Sequence, residues 1–210
     1  KSITLTGVVT GEEIVNNLTA GTLTVKSTDA GAIDFSKINA NLIQISAAGT
    51  AVTVKDNQNL SFTSSTATNL TDLIAKAGLS NVTTNLSTSK DINALDVTKI
   101  TNLNLEVTKD AKITTLTTNA QNNVVVKGAG NTDITSAGVA SIDASALTGT
   151  LTYTNLATAT TGIIGSSTAK NTLNLTSTGV TVTAITGSAN DEVTLNASTG
   201  TLNVTTGAGD

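Results

Sequence analysis

A short apolar–polar–apolar triplet returns at a step of twenty residues in this chain. Ile3-Thr4-Leu5, Leu23-Thr24-Val25 and Ile43-Gln44-Ile45 carry it at one end, and Leu173-Asn174-Leu175 and Val193-Thr194-Leu195 at the other. Thr181-Val182-Thr183 followed by Thr186-Gly187-Ser188-Ala189 returns as Thr201-Leu202-Asn203 followed by Thr206-Gly207-Ala208-Gly209. So short a strand cannot bury its apolar side alone; it does so by stacking on its next copy, which is the arrangement of a solenoid. The expected fold is therefore all-β: an elongated parallel β-solenoid, β-helix-like, of about 20 residues per coil, with a few short helical inserts.

Composition fits that expectation. The 210 residues include three aromatics, Phe35, Phe62 and Tyr153, and no Cys, Pro, Met, Trp, His or Arg; about a fifth are Thr. A globular core normally leans on aromatics for buried area, whereas coils can stack small aliphatics on one another. Without Cys there are no disulfides and no thiol chemistry. The net charge of −4 and the singly scattered Lys residues argue against a nucleic-acid partner, because phosphate neutralisation needs clustered cations. No run of eighteen apolar residues predicts a membrane-spanning helix.

Thr and Val suit the pleated surface of a strand. Strands are predicted at 3–5, 23–25, 42–45, 52–54, 60–62, 82–86, 94–97, 102–107, 113–117, 123–127, 141–143, 151–154, 173–175, 180–185, 193–195 and 201–205. Turns rich in Gly, Asn, Asp and Ser separate them, about two strands to a coil. Three stretches read as helical instead. Thr71 to Leu79 has Asp72 placed for the N-terminal dipole and Gly78 for a left-handed stop. Thr10-Gly11-Glu12-Glu13 fits a capping box before Ile14, Val15 and Leu18. Ser36 to Asn41 reads as a single helical turn. The chain is expected to be one domain over 1–210, a segment of a longer chain, with a weak subdivision near residue 88.

Catalysis has little to work with. The commonest general base and the strongest nucleophile, His and Cys, are both missing. The carboxylates are dispersed, and the adjacent pairs Glu12-Glu13 and Asp191-Glu192 read as a helix start and a turn. No enzyme activity and no catalytic residues are expected. The T-x-T rows, such as Thr4 with Thr6 and Thr152 with Thr154, read as solvent-facing strand positions. An ice-matching Thr ladder would need strict coil-to-coil registry, and Thr24 meets Gln44 at the twenty-residue step.

A metal signal lies in the Gly-Asx turns. The Ca²⁺-binding RTX nonapeptide has the form G-G-x-G-x-D-x-U-x, with U a large aliphatic residue. Gly187-Ser188-Ala189-Asn190-Asp191-Glu192-Val193 is a degenerate copy, Gly207-Ala208-Gly209-Asp210 resembles the opening of another, and Gly128-Ala129-Gly130-Asn131-Thr132-Asp133-Ile134 is a third. The candidate Ca²⁺ ligands are Asp133, Asn190, Asp191 and Asp210, hard oxygen donors of the kind Ca²⁺ takes. The alternative is that Gly-Asx turns are simply solenoid corners.

Abundant Thr, Ala, Asn, Ser and Gly, strands of the "LNVTTGAGD" type and these RTX-like turns together resemble bacterial surface-layer proteins and RTX-type secreted surface proteins. The resemblance lies in motif at 127–134 and 185–210 and in texture elsewhere. It implies an extracellular protein at the bacterial cell surface that self-assembles into a two-dimensional lattice stabilised by Ca²⁺. Its partners would be copies of itself and cell-surface polysaccharide, with neither nucleic acid nor membrane insertion. An adhesin passenger binding carbohydrate or a host surface is the alternative.

Overall fold

The structure is a computed structural model that describes residues 2–7, 22–27, 31–46, 51–63, 68–70, 72–136, 139–156, 160–176, 179–196 and 199–209. The first strands, in chain order, are β1 (Ser2–Thr6), β2 (Thr22–Ser27), β3 (Ile33–Asp34), β4 (Leu42–Ile45), β5 (Ala51–Val54), β6 (Gln58–Phe62) and β7 (Thr68–Leu70). They continue as β8 (Asp72–Ala75), β9 (Thr83–Thr88), β10 (Ile92–Asp96), β11 (Asn102–Val107), β12 (Ala111–Thr117), β13 (Asn123–Gly128) and β14 (Thr132–Ser136). The last are β15 (Ser141–Leu147), β16 (Leu151–Asn155), β17 (Gly162–Ile164), β18 (Asn171–Thr176), β19 (Thr181–Ile185), β20 (Glu192–Asn196) and β21 (Thr201–Thr205).

These strands form a parallel β-solenoid. One face is an eleven-stranded sheet in the order β1-β2-β4-β6-β9-β11-β13-β15-β17-β19-β21. A second face is the seven-stranded sheet β20-β18-β16-β14-β12-β10-β7, and a third, narrow face is β3-β5-β8. Every described pairing is parallel, and each strand inside a sheet pairs with its equivalents in the coils before and after it. The narrow face dwindles along the chain to a single bridge, Ile74 to Lys99.

Alternation along each strand decides what is inside. In β11, Leu103, Leu105 and Val107 are buried while Asn102, Asn104 and Glu106 face outward. The coil-to-coil register lines up the inward positions, so Ile43, Leu60, Leu86, Leu105 and Val126 form one column of buried aliphatics. On the second face the equivalent column is Ile92, Ile113, Ile134, Tyr153 and Leu173. Burying an aliphatic side chain of this size stabilises by about 1.5–3 kcal/mol, and the gain recurs at each coil. All three aromatics are buried as well.

The step between coils varies around twenty. Ser2 pairs with Thr22 and Thr181 with Thr201, but Val25 pairs with Ile43, and Gln58 with Thr84. The triplet at 43–45 is therefore shifted by two residues from the expected alignment, a shift that leaves every side chain on its own face because the strand period is two. Thr24 consequently meets Leu42 and not Gln44.

No helix occurs among the described residues. The predicted helix from Thr71 to Leu79 is a correction: Asp72–Ala75 is β8, paired residue by residue with Ala51–Val54. Two helical turns would bring little stability by themselves, whereas the edge of β5 offers a ready set of backbone partners. Gly78 does adopt a left-handed conformation, at φ 85°, but in the turn that closes on Leu79 N–H donating to the Lys76 carbonyl at 3.1 Å. The expected helical turn from Ser36 to Asn41 is likewise a reverse turn, with Ile38 N–H donating to the Phe35 carbonyl at 2.9 Å. At its start the Asp34 carboxylate accepts Ser36 N–H at 2.8 Å, a local bond that competes with helix. The capping-box helix at 10–18 lies outside the described residues.

Candidate functional site

Outward-facing amides line up along the eleven-stranded sheet. Asn59 donates to the Asn41 carbonyl at 3.1 Å, Asn85 to Asn59 Oδ1 at 2.9 Å, and Asn104 to Asn85 Oδ1 at 2.8 Å. A second column runs beside it: Asn102 donates to Thr83 Oγ1, Asn123 to Asn102 Oδ1, and Ser141 to Asn123 Oδ1. The first column floors an open groove of about 590 Å³, also lined by Thr24 and Lys127. Sequence reasoning missed this groove, because the irregular steps between Asn59, Asn85 and Asn104 hide their common column.

Carboxylates that look dispersed in sequence join successive coils. Asp56 Oδ1 accepts Thr83 N–H at 2.9 Å, Asp91 Oδ1 accepts Lys112 N–H at 2.7 Å, and Asp110 Oδ1 accepts Asn131 N–H at 2.9 Å. Asn131 Oδ1 in turn accepts both the N–H and the hydroxyl of Thr150, each at 3.0 Å. The ion pairs also run from coil to coil: Lys112 to Asp133 at 3.1 Å, Lys127 to Glu106 at 3.7 Å, and Lys170 to Glu192 at 3.7 Å. Lys99 pairs with Asp72, and its ammonium is held above the ordinary lysine range by that hydrogen bond, by the Asp72 charge and, more weakly, by Asp96.

The candidate Ca²⁺ ligands are not brought together. Asp133 sits in β14 on the second face, facing Lys112. Asn190 is exposed in the turn before β20, and Asp191 follows it at the corner. Asp191 Oδ1 accepts both the N–H of Asn171, at 2.8 Å, and its side-chain amide, at 2.9 Å, while Oδ2 is buried without a partner. Register places Asp133 in the same column as Thr152, Thr172 and Glu192, three strands from the Asp191 corner. Asp210 lies outside the described residues. Among the described residues no three acidic side chains form a group that could hold a metal ion. No known protein family, curated protein or solved structure matches the chain.

The Gly-Asx turns do have a packing reason. A Cβ on Gly130 would stand 2.2 Å from the Lys109 carbonyl oxygen, and one on Gly187 2.4 Å from that of Ser166. Glycine lets one coil's corner rest directly on the backbone of the last. Among the described residues, many outward polar groups bond from one coil to the next.

Proposed function

We propose that this chain is a structural component of a bacterial cell-surface layer, non-catalytic, that self-assembles into a two-dimensional lattice outside the cell. The observation that supports this reading best is the commitment of outward Asn, Asp and Thr groups to neighbouring coils, as in the Asn59–Asn85–Asn104 column. A rod tied in this way presents flat, repeating faces, and flat repeating faces suit lateral packing of identical subunits. Ca²⁺ acts in this reading at contacts between subunits. Turn side chains such as the exposed Asn190 supply some ligands and a neighbouring copy supplies the remainder, as a cation with many hard oxygen ligands allows. Electron microscopy of the purified protein with Ca²⁺ and with chelator tests it: ordered sheets that dissolve on chelation are expected, and dispersed particles under both conditions would defeat it.

The groove over Asn41, Asn59, Asn85 and Asn104 favours one second reading, a surface adhesin that binds carbohydrate. Arrayed amides are apt donors and acceptors for sugar hydroxyls. Retention on a glycan array by a dispersed protein, lost with Asn85→Ala, would support the adhesin over the lattice.

A further inference from the structure

The amide column in the groove is bounded at both sides by aliphatic residues. Asn59 pairs with Asn85, Asn85 with Asn104, and Asn104 with Val125. On the other side Leu42 precedes Asn59 in the same line, one residue ahead of the Ile43–Leu60 pair. Leu42 is half-buried on the outward side of β4, and Val125 is 37% exposed. Three amides therefore stand in line between two aliphatic side chains. Successive positions are one strand spacing apart, about 4.8 Å.

The ladder leaves bonding capacity unspent. A side-chain amide has two N–H donors and two lone pairs on its oxygen. Asn85 gives one hydrogen to Asn59 Oδ1 and accepts one from Asn104, while Asn59 gives one to the Asn41 carbonyl and accepts that of Asn85. Each keeps one donor and one acceptor for a ligand. The links all run in the same direction, so the spare groups repeat from coil to coil. Leu42 and Val125 offer apolar contact in their place. The two charged residues that line the groove, Glu106 and Lys127, pair with each other at 3.7 Å, which leaves its floor neutral. A donor and an acceptor repeated at one strand spacing suit a chain of hydroxyl-bearing units of about that length, and a sugar in an extended chain is such a unit. We infer that the groove binds an unbranched, uncharged polysaccharide that runs along the rod axis, across the strands, with one sugar over each position from Leu42 to Val125. Paired hydroxyls meet the amides, and sugar C–H faces rest on Leu42 and Val125. The inference rests on the carbohydrate reading of this groove and adds to it the kind of chain and its direction.

A glycan array carrying neutral, charged, linear and branched chains tests it first. Titration calorimetry follows with oligomers of the retained glycan, from the disaccharide to the hexasaccharide. Unbranched neutral chains should be retained, and affinity should climb with each added sugar and level off near the pentasaccharide. Asn85→Ala, shown to be folded by circular dichroism and a melting curve, should weaken the pentasaccharide about tenfold through the loss of two hydrogen bonds. Val125→Asp, altered at a side chain that already faces solvent, should weaken the pentasaccharide and leave the disaccharide unchanged. Thr154→Ala, in β16 on the second face, should change neither. Affinity independent of length, or Val125→Asp without effect where Asn85→Ala abolishes binding, would overturn the inference, because the chain would then cross the ladder along the strands. Retention of branched or charged glycans alone would overturn it and leave the carbohydrate reading intact. An array without a single hit would overturn both.

Discussion

Gln58 and Asn122 stand at equivalent corners of two different coils and make the same three hydrogen bonds. The Gln58 amide donates to the carbonyls of Phe35 and Ile38, at 3.1 and 3.3 Å, and its oxygen accepts Lys55 N–H at 3.1 Å. The Asn122 amide donates to the carbonyls of Val97 and Ile100, at 3.1 and 2.7 Å, and its oxygen accepts Asn119 N–H at 2.7 Å. Each reaches into the reverse turn of the preceding coil, and each is 2% exposed. Replacing Asn122 by Ala takes this partner from the Ile100 carbonyl and the Asn119 N–H beside the core, while the Val97 carbonyl keeps the Ile100 N–H at 3.1 Å. A loss of about 2–4 kcal/mol is expected from urea unfolding, given the penalty for each buried group left unpaired; a loss below the size of a single exposed bond would refute the clamp.

The same amide chemistry at the surface should matter far less. Asn85 bonds to Asn59 and Asn104 but is only half-buried, and water replaces either partner. Asn85→Ala should cost about 0.5–1.5 kcal/mol. Finding Asn85→Ala as damaging as Asn122→Ala in the same urea series would show that the outward column, and not the corner clamp, holds the coils together.

Two glycines separate space from conformation. Gly128 has φ 114°, and a Cβ there would stand 2.2 Å from the Val107 carbonyl oxygen. Gly162 has only Ser141 Cβ near, at 3.8 Å. Gly128→Ala is expected to destabilise by about 3 kcal/mol or more, combining strain with overpacking. Gly162→Ala should be neutral or stabilising by up to about 1 kcal/mol, through the loss of freedom in the unfolded chain. Thermal melts of the two variants decide it, and equal effects would contradict this packing.

Tyr153 is the single tyrosine, so its ionisation can be followed by ultraviolet difference absorbance without interference. Burial pushes its phenol above the ordinary tyrosine value, opposed by hydrogen bonds to Thr160, at 3.2 Å, and Ser136. The folded protein thus holds the proton more tightly than the unfolded chain. The stability this contributes is fully present below the unfolded value of about 10 and is lost as pH rises through the folded value. Thr160→Val removes one opposing bond and should move the midpoint higher still. A midpoint at the free-tyrosine value in protein that remains folded would rule out this burial.

Much of the architecture is legible in the chain because solenoid strands announce themselves by alternation. The strands at Leu42–Ile45, Asn102–Val107 and Thr201–Thr205 have the bounds the pattern predicts. The ones it misses are short or poor in aliphatics. Ile33–Asp34 is two residues long, and Thr132–Ser136 contributes a single aliphatic, Ile134, to the core. That stretch reads as a Ca²⁺ turn because Gly128, Gly130 and Asp133 match the nonapeptide, whereas in the fold the glycines permit close backbone approach and Asp133 meets Lys112. The helix expected at Thr71 to Leu79 fails for a related reason, since local preference cannot register an open strand edge far away at Ala51–Val54. The corner clamps were invisible because a lone Gln and a lone Asn in a polar chain carry no periodic mark.

The register of β16, β18 and β20 has a consequence for how such a chain changes length. Leu151 lies over Asn171, Tyr153 over Leu173, and Leu173 over Val193. Each coil therefore meets its neighbours through nearly interchangeable positions, and its stability depends chiefly on those two neighbours. Splicing Leu151 directly to Thr172 removes one whole coil, after which a single strand built from β16 and β18 stands between β14 and β20. The molecule can be shortened or extended like a ruler, one gradation at a time, while its breadth and the texture of its faces stay the same.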